Sequence, residues 1–366
     1  MPFLLLFSLC LLWACGDHPT GPDGGSTRLV AGVDFDRLFA LPTREELAAI
    51  SAEWAGRPAP SAAHTEVFST AVPLGAKNAT LRILAYTVAG ARLYGALLAP
   101  RGASPGSLPL IVYAHGGDQG VSVEEFLLMS LGLGEARGQY AYALPSFRAE
   151  ALSYGQEFFV SAGEPAPWDG DVDDGLALVE VALAAEPALD PQRLGAVGVS
   201  RGGTVAMLMA VRDPRLARVV NFFGTTDLLD VFGQEVAEEA LLGNPRQLPG
   251  LDYLNRTLLQ PLKEGSLGIG EARLELIRRS PVYFADRLPA VQVHHGTADP
   301  LVPVSQAQRL IEVMLGLGRG APEFAYYLYA GGGHHPLSLP GSLERTQLFL
   351  APLLQPAPAF TAAFAY

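Results

Sequence analysis

"RLGAVGVSRGGTVAMLMAV", residues 193–211, sets a lone serine between glycines where the β-type run "RLGAV" turns into the helix-type run "TVAMLMAV". In an α/β sheet such a turn lifts its apex residue above the C-terminal edge, where ligands bind. The neighbouring glycines permit a strained backbone and close packing. Gly198-Val199-Ser200-Arg201-Gly202 has the G-x-S-x-G spacing of a nucleophile elbow. The helix N-terminus behind Ser200 adds partial positive charge where an oxyanion would form. Chance produces many such pentapeptides, so the weight rests on the strand before it, the helix after it and the partners downstream.

Working outward, residues 108–354 alternate short apolar runs with helical ones. "LPLIVYAHGG" (108–117) precedes "SVEEFLLMSLGLGEAR" (122–137), and "GQYAYALPSF" (138–147) precedes "DVDDGLALVEVALAAE" (171–186). After the elbow come "LARVVNFFG" (216–224), "PAVQVHHG" (289–296) with "SQAQRLIEVMLGLG" (305–318), and "EFAYYLYAG" (323–331) with "SLERTQLFLAPLL" (342–354). Strands alternating with helices of about 15 residues predict a mostly parallel central sheet flanked by helices. Upstream, "HTEVFSTAV", "TLRILAYTV" and "ARLYGALLAP" read as antiparallel strands at its N-terminal edge. "TREELAAISAEW" (43–54) opens with Thr43 and has Glu46 three residues on, a capping box that starts a helix near Arg44. Residues 228–280 break the alternation with the helical runs "QEVAEEALLG" and "GEARLELIRR" joined by Pro- and Gly-rich turns. This small helical insertion either helps roof the C-terminal edge of the sheet or is a pair of packing helices.

A serine hydroxyl is a poor nucleophile at its free pKa and needs a general base, which in turn needs an orienting carboxylate. "HHGTADPLVP" offers Asp299 just past an apolar strand, and "YAGGGHHPL" offers His334 and His335 just past the last one. The three glycines before His334 let its loop swing back over the elbow, which favours His334 as base and leaves His335 as a substrate-facing or solvated neighbour. Asp227, ending the preceding strand in "NFFGTTD", is the alternative acid. His294 and His295 lie within a strand and read as buried, hydrogen-bonded residues, while His18 and His64 read as structural or solvated. There is no H-E-x-x-H and no spaced His/Asp cluster, so neither a metal nor an organic cofactor is expected.

Composition bounds the partners. The chain is 49% hydrophobic and 17% charged, with a net charge of −12, so it lacks the basic stripe of a nucleic-acid binder and any polybasic patch for anionic lipid. "MPFLLLFSLCLLWA" (1–14) reads as a signal peptide, too short to span a bilayer. Cys10 leaves with it. "LWAC" resembles the lipobox of bacterial lipoproteins, which makes Cys15 the lipidated residue; an ordinary secretory signal is the alternative. "GDHPTGPDGGST" (16–27) is too polar and too rich in Gly and Pro to pack, and reads as a tether. The expected organisation is a signal peptide over 1–14, a lipidated Cys15 with tether over 15–31, an N-terminal helical arm and first strand over 32–70, and the main domain over 71–356. The protein is expected to be exported to a bacterial cell envelope, with the lipid as its only membrane contact.

Taken together, "HGG" (115–117), "PSFRAEALSYG" (145–155), the run 171–203, "SPVYFADRLPAVQVHHGTADPLVP" (280–303) and "YAGGGHH" (329–335) resemble the catalytic domain of the prolyl oligopeptidase family of α/β-hydrolases. The resemblance spans about residues 95–355, and D-P-x-R-L-G-x-x-G-x-S-x-G-G is its most specific part. It implies an α/β-hydrolase fold and a serine hydrolase with the chain order Ser200, Asp299, His334. It also implies an oxyanion hole made by the Arg201 N–H and an N–H of the HGG loop, from Gly117 or Asp118, with His115 beside the substrate. Three departures mark this chain. Only about 80 residues precede the sheet, leaving no room for the propeller of the peptidases. Arg201 stands where an aromatic residue or His is common, and no Glu pair for a peptide N-terminus can be identified. An esterase-like enzyme acting on a small ester is therefore favoured over a short-peptide peptidase, and both over a non-catalytic binding protein on the same fold.

Overall fold

A computed structural model describes residues 27–355. Nine strands form the central sheet: β1 His64–Leu74, β2 Lys77–Val88, β3 Ala91–Pro100, β4 Leu108–Ala114, β5 Ala141–Pro145, β6 Leu189–Val199, β7 Leu216–Phe222, β8 Ala290–Gly296 and β9 Phe324–Tyr329. Their spatial order is β9-β8-β7-β6-β4-β5-β3-β2-β1. Neighbours from β9 to β5 are parallel, and β5-β3, β3-β2 and β2-β1 are antiparallel. This is the α/β-hydrolase fold.

The central strands are buried on both faces, which is why they read as continuous apolar runs. Along β4, Leu110 and Val112 enter the core that also holds Leu178, Val179, Met207 and Met209. Ile111 and Tyr113 enter the opposite core with Tyr142, Phe222 and Phe349. The helices that close these cores are α1 Arg44–Gly56, α2 Val123–Ser130, α3 Asp169–Ala185, α4 Arg201–Arg212, α5 Val231–Leu241, α6 Ile269–Arg278, α7 Ser305–Gly316 and α8 Ser342–Leu350. At the start of α1 the capping box is complete. Thr43 Oγ1 accepts from the Glu46 N–H at 3.1 Å, and Glu46 Oε2 accepts from the Thr43 N–H at 2.8 Å.

Register brings the strand ends together. Gly198 pairs with Ala114, Val199 with Phe222, Phe222 with His294 and Gly296 with Tyr329. The segments that follow β4, β6, β8 and β9 therefore all leave one edge of the sheet, and these four carry the residues singled out above.

Several local expectations differ from the structure. The helix expected over 122–137 stops at Ser130 and continues as 3₁₀ turns over Leu131–Gln139, because Gly134 takes φ 55° and ψ −144° and breaks the α ladder. The insertion is more helical than expected. Besides α5 and α6 it contains helical turns over Leu251–Glu264, which include Pro261, where Pro- and Gly-rich turns were expected. That proline lies within one continuous helical stretch, just past a π turn over Asn255–Leu259. A boundary at residues 70/71 would cut β1, which runs unbroken. The tether ends earlier than residue 31, since Leu29–Val30 pairs with Val33–Asp34 and Val30 is buried. A small sheet of Gly120–Ser122, Ala151–Tyr154 and Glu157–Val160 was not anticipated. The proposed signal peptide, Cys15 and His18 lie outside the described residues. Among the described residues no helix is long and apolar enough to cross a membrane.

Candidate active site

Ser200 joins β6 to α4 with φ 55° and ψ −123°, a conformation that a residue with a side chain rarely adopts. It is held from both sides: the Ser200 N–H donates to the Phe222 carbonyl at 2.8 Å, and the Ser200 carbonyl accepts from the Gly203 N–H at 2.8 Å. A Cβ on Gly198 would stand 2.0 Å from the Gly202 oxygen. One on Gly202 would stand 2.0 Å from the Ala114 oxygen, and one on Gly203 2.2 Å from Asn221 Oδ1. The turn closes against β4 and β7 only because these three residues lack side chains.

Two long-range hydrogen bonds link this serine in a chain to His334 and Asp299. The Ser200 hydroxyl lies 2.9 Å from His334 Nε2, and His334 Nδ1 lies 2.7 Å from Asp299 Oδ2. The acceptor-only carboxylate makes Nδ1 the donor, which leaves Nε2 with a lone pair facing the hydroxyl. Burial by itself would push the Asp299 carboxyl up. The bond from His334 and those from the Val302 and Leu301 N–H groups to Oδ1, at 3.0 and 2.9 Å, outweigh it and hold the carboxyl below its usual range. Phe223 packs against the His334 ring at 4.3 Å between centroids and limits its rotation. Asp227, the alternative acid, is engaged elsewhere: its Oδ1 accepts from the Tyr283 hydroxyl and the Leu229 N–H, both at 2.8 Å.

The HGG loop leaves β4 beside the elbow. A Cβ on Gly116 would lie 3.0 Å from the Val199 oxygen and 3.1 Å from Ser200 Cβ, so glycine is what lets the loop approach. Gly117, at φ 72°, lines the cavity in front of Ser200, while the Asp118 side chain is exposed and bonds Gln119. Neither histidine assigned to substrate contact lines that cavity. His115 is buried behind the loop, packed at a tilt on Phe147 at 4.7 Å between centroids, with Nδ1 3.0 Å from the Gly116 carbonyl and Nε2 3.3 Å from Glu150. His335 is exposed, and its Nδ1 accepts from the Leu337 N–H at 3.1 Å, so it caps the turn after the glycine loop. His294 and His295 are fully buried; the first bonds the Tyr329 hydroxyl at 2.7 Å and the second the Val302 carbonyl at 2.9 Å.

In front of Ser200 opens a cavity of about 310 Å³, walled by Trp168, Phe232, Leu248, Pro249, Leu251, Leu301 and Val302. Four of these residues belong to the 228–280 insertion, which therefore walls the cavity as well as packing. Among the described residues no three His, Cys, Asp or Glu side chains converge as a metal-ligand set.

Residues 136–351, more than half of the chain, match the family model of the prolyl oligopeptidase family. The chain belongs to the prolyl oligopeptidase family. It is a serine hydrolase. Similar solved structures include acetyl xylan esterase 1 from Thermoanaerobacterium sp. JW/SL YS485, at 19% identity and a TM-score of 0.53, covering 88% of this chain and 94% of that one. The acetyl xylan esterase from Paenibacillus sp. R4 is similar at 18% identity and a TM-score of 0.54, covering 87% and 98%. The acylaminoacyl peptidase of Pyrococcus horikoshii shares 18% identity with a TM-score of 0.51, covering 74% of this chain and 40% of the peptidase. At these identities the likeness is one of fold. No curated protein matches the sequence.

Three residues around the hydrolase site were not singled out from sequence for the roles they take. Trp168, at φ 66°, walls the cavity and precedes α3. Phe223, at φ 42°, supports His334. The side chain of Arg201, read only as an unusual residue after the nucleophile, is buried among Asp171, Glu150 and the Gly117 carbonyl. Phe223 ends an apolar run and Trp168 stands in a Pro- and Asp-rich stretch, and neither pattern carries a signal for the site. The third is a charge within a glycine-rich turn, and it does invite the question of what neutralises it.

Proposed function

We propose that the protein hydrolyses small, uncharged carboxylic esters by acyl transfer through Ser200. His334 Nε2 takes the hydroxyl proton as Ser200 Oγ attacks the carbonyl carbon, and Asp299 holds the imidazole tautomer and stabilises its cation. The Arg201 and Gly117 N–H groups receive the oxyanion; Gly117 is chosen over Asp118 because it lines the cavity. Collapse of the tetrahedral intermediate expels the alkoxide, protonated by His334, and leaves an acyl-Ser200. Water, deprotonated by the same His334, then releases the acid.

The observation that carries this reading is the wall of the cavity. Ser200, His334 and Asp299 form one hydrogen-bonded chain that opens onto apolar side chains, with no carboxylate there to bind the α-ammonium of a peptide N-terminus. The acetyl esters handled by the two similar esterases are of a size this cavity accepts. Family membership favours the second reading, cleavage of short peptides. A panel of p-nitrophenyl esters of increasing chain length beside aminoacyl and prolyl amides separates the two. The expected result is a higher kcat/KM for an activated short-chain ester than for any matched amide; efficient prolyl or aminoacyl cleavage with negligible ester turnover overturns it. A fluorophosphonate probe is expected to label the wild type and not Ser200→Ala.

The exported, lipid-anchored location is a separate proposal resting on "LWAC" and the tether. Metabolic labelling with a fatty-acid analogue is expected to mark the wild type and not Cys15→Ser. An unlabelled, freely soluble wild type shows ordinary secretion instead.

A further inference from the structure

We propose that the Arg201 side chain is a positioning group that couples the two halves of the oxyanion hole; the inference rests on the Ser200 reading above. Arg201 is the first residue of α4, and its N–H has no backbone carbonyl partner among the described residues, so it is free to receive an oxyanion. The second donor sits on the HGG loop, whose own anchoring is slight. Among the described residues, no backbone N–H or carbonyl from His115 to Gln119 bonds backbone elsewhere. The side-chain bonds within the loop, His115 to Gly116 and Gln119 to Asp118, tie it only to itself. Besides the 3.3 Å approach of His115 Nε2 to Glu150, a single hydrogen bond reaches the loop from outside among the described residues: Arg201 Nη1 donates to the Gly117 carbonyl at 3.0 Å.

The guanidinium can act as a fixed strut because its other donors are anchored. Nε and Nη2 donate to the two oxygens of Asp171 at 2.8 and 2.7 Å, Nη1 also bonds the Glu150 carboxylate, and the group lies 5.2 Å above the Phe147 ring. Arg201 is 6% exposed and Asp171 is fully buried. A planar fork with five donors can serve three acceptors in fixed directions, whereas an ammonium is one point with three rotating donors. One residue thus offers the first donor from its backbone and, with its side chain, sets where the Gly117 peptide, and hence the second donor, stands relative to Ser200.

Arg201→Lys is the first test, since it keeps the positive charge against Asp171 and Glu150 but loses the fork. Asp171→Asn is the second: it leaves the Arg201 side chain unchanged, keeps the shape but only one of the two acceptor oxygens, and carries the test should the lysine chain not fold. Saturating fluorophosphonate counts the competent Ser200 sites, and kcat is expressed per labelled site on an activated acetyl ester. A role in folding alone lowers the number of sites and leaves each at the wild-type rate. The positioning role lowers the rate per site by about 100- to 1000-fold in Arg201→Lys, the range for losing one oxyanion donor, with KM within about threefold. Asp171→Asn is expected to show the same split with a smaller loss. A wild-type kcat per site in the folded variant overturns the proposal. Hydrolysis that survives in Ser200→Ala overturns the Ser200 reading instead, so the two failures are told apart.

Discussion

Asp299 and Asp227 both follow strands of the parallel sheet, and what separates them is what each carboxylate already holds. Asp299 Oδ2 accepts from His334 Nδ1, while Asp227 spends Oδ1 on Tyr283 and Leu229. Asp299→Asn is therefore expected to keep the fold and to lose on the order of 10⁴ in kcat, because an amide in that place can stabilise the wrong imidazole tautomer and cannot stabilise its cation. Asp227→Asn is expected to retain turnover; steady-state kinetics on the two variants decides, and the reverse pattern moves the acid to the neighbouring strand. Glu150 has a different consequence. Burial, only partly offset by Arg201, pushes its carboxyl from the ordinary 4.5 up to about 7. A carboxyl whose folded pKa lies above its unfolded one stabilises the fold below the unfolded value and loses that contribution as pH rises through the folded one. Between about pH 4.5 and about pH 7 the wild type is expected to lose stability relative to Glu150→Gln, read from urea midpoints. Parallel curves for the two proteins would show that Glu150 stays ionised throughout.

Among the elements, the alternation of apolar runs with helical ones was enough to read the parallel sheet, because strands buried on both faces have no polar side to blur them. The same alternation placed Ser200, Asp299 and His334 at strand ends that share one edge of the sheet, where their side chains now form a hydrogen-bonded chain. Less was legible where contacts cross long stretches of sequence. Arg201 meets Asp171 and Glu150 through the packing of α3 and the loop after β5, and no local spacing announces that. His115 sits beside glycines that reach the elbow, yet its ring turns inward onto Phe147 because the loop backbone, not the side chain, faces the cavity. The helical turns of Leu251–Glu264 were hidden by a proline that reads as a breaker, although the helix runs through it just past a π turn. That insertion has a function to test. Phe232 of α5 walls the reactive cavity on one side and, with Leu251, a smaller apolar chamber on the other, lined by Phe39, Leu228, Val236 and Leu276. Phe232→Ala is expected to join the two spaces and move the kcat/KM optimum of a p-nitrophenyl ester series toward longer acyl chains. A roughly uniform loss across the series would assign Phe232 to stability alone, at the ~3–5 kcal/mol typical of such truncations.

On the scale of the whole molecule, one guanidinium makes the densest link between the N-terminal arm and the insertion, beside the ion pairs Arg278–Glu53 and Arg28–Glu238. Arg273 of α6 is 6% exposed and donates to the carbonyls of Arg37, Leu38, Ala40 and Leu41 and, through Nε and Nη2, to the Glu46 carboxylate of α1 at 2.7 and 2.9 Å. The arm also buries Phe35, Ile50 and Trp54 in the main core, Trp54 packing on Phe284 at 4.7 Å, so it belongs to the same folding unit as the sheet. Removing the guanidinium takes the donor from four carbonyls and leaves the Glu46 carboxylate with the Thr43 N–H alone, and unmade hydrogen bonds to buried polar groups are costly. Arg273→Met is therefore expected to lower the urea midpoint strongly. The hydrogen bond from Arg273 is also the main reason the Glu46 carboxyl lies below its ordinary value of 4.5. A lowered carboxyl contributes stability that is present above the unfolded pKa and lost as pH falls through the folded one. The gap in stability between wild type and Arg273→Met is then expected to narrow as pH falls below the ordinary 4.5 and through the lowered value, where Glu46 takes a proton in both proteins. Because α6 and the cavity wall share the insertion, KM for the short ester is expected to rise in the variant while kcat per labelled Ser200 changes little. A variant with wild-type KM and an undiminished gap at low pH would show that the arm and the roof are coupled through the apolar core and not through Arg273.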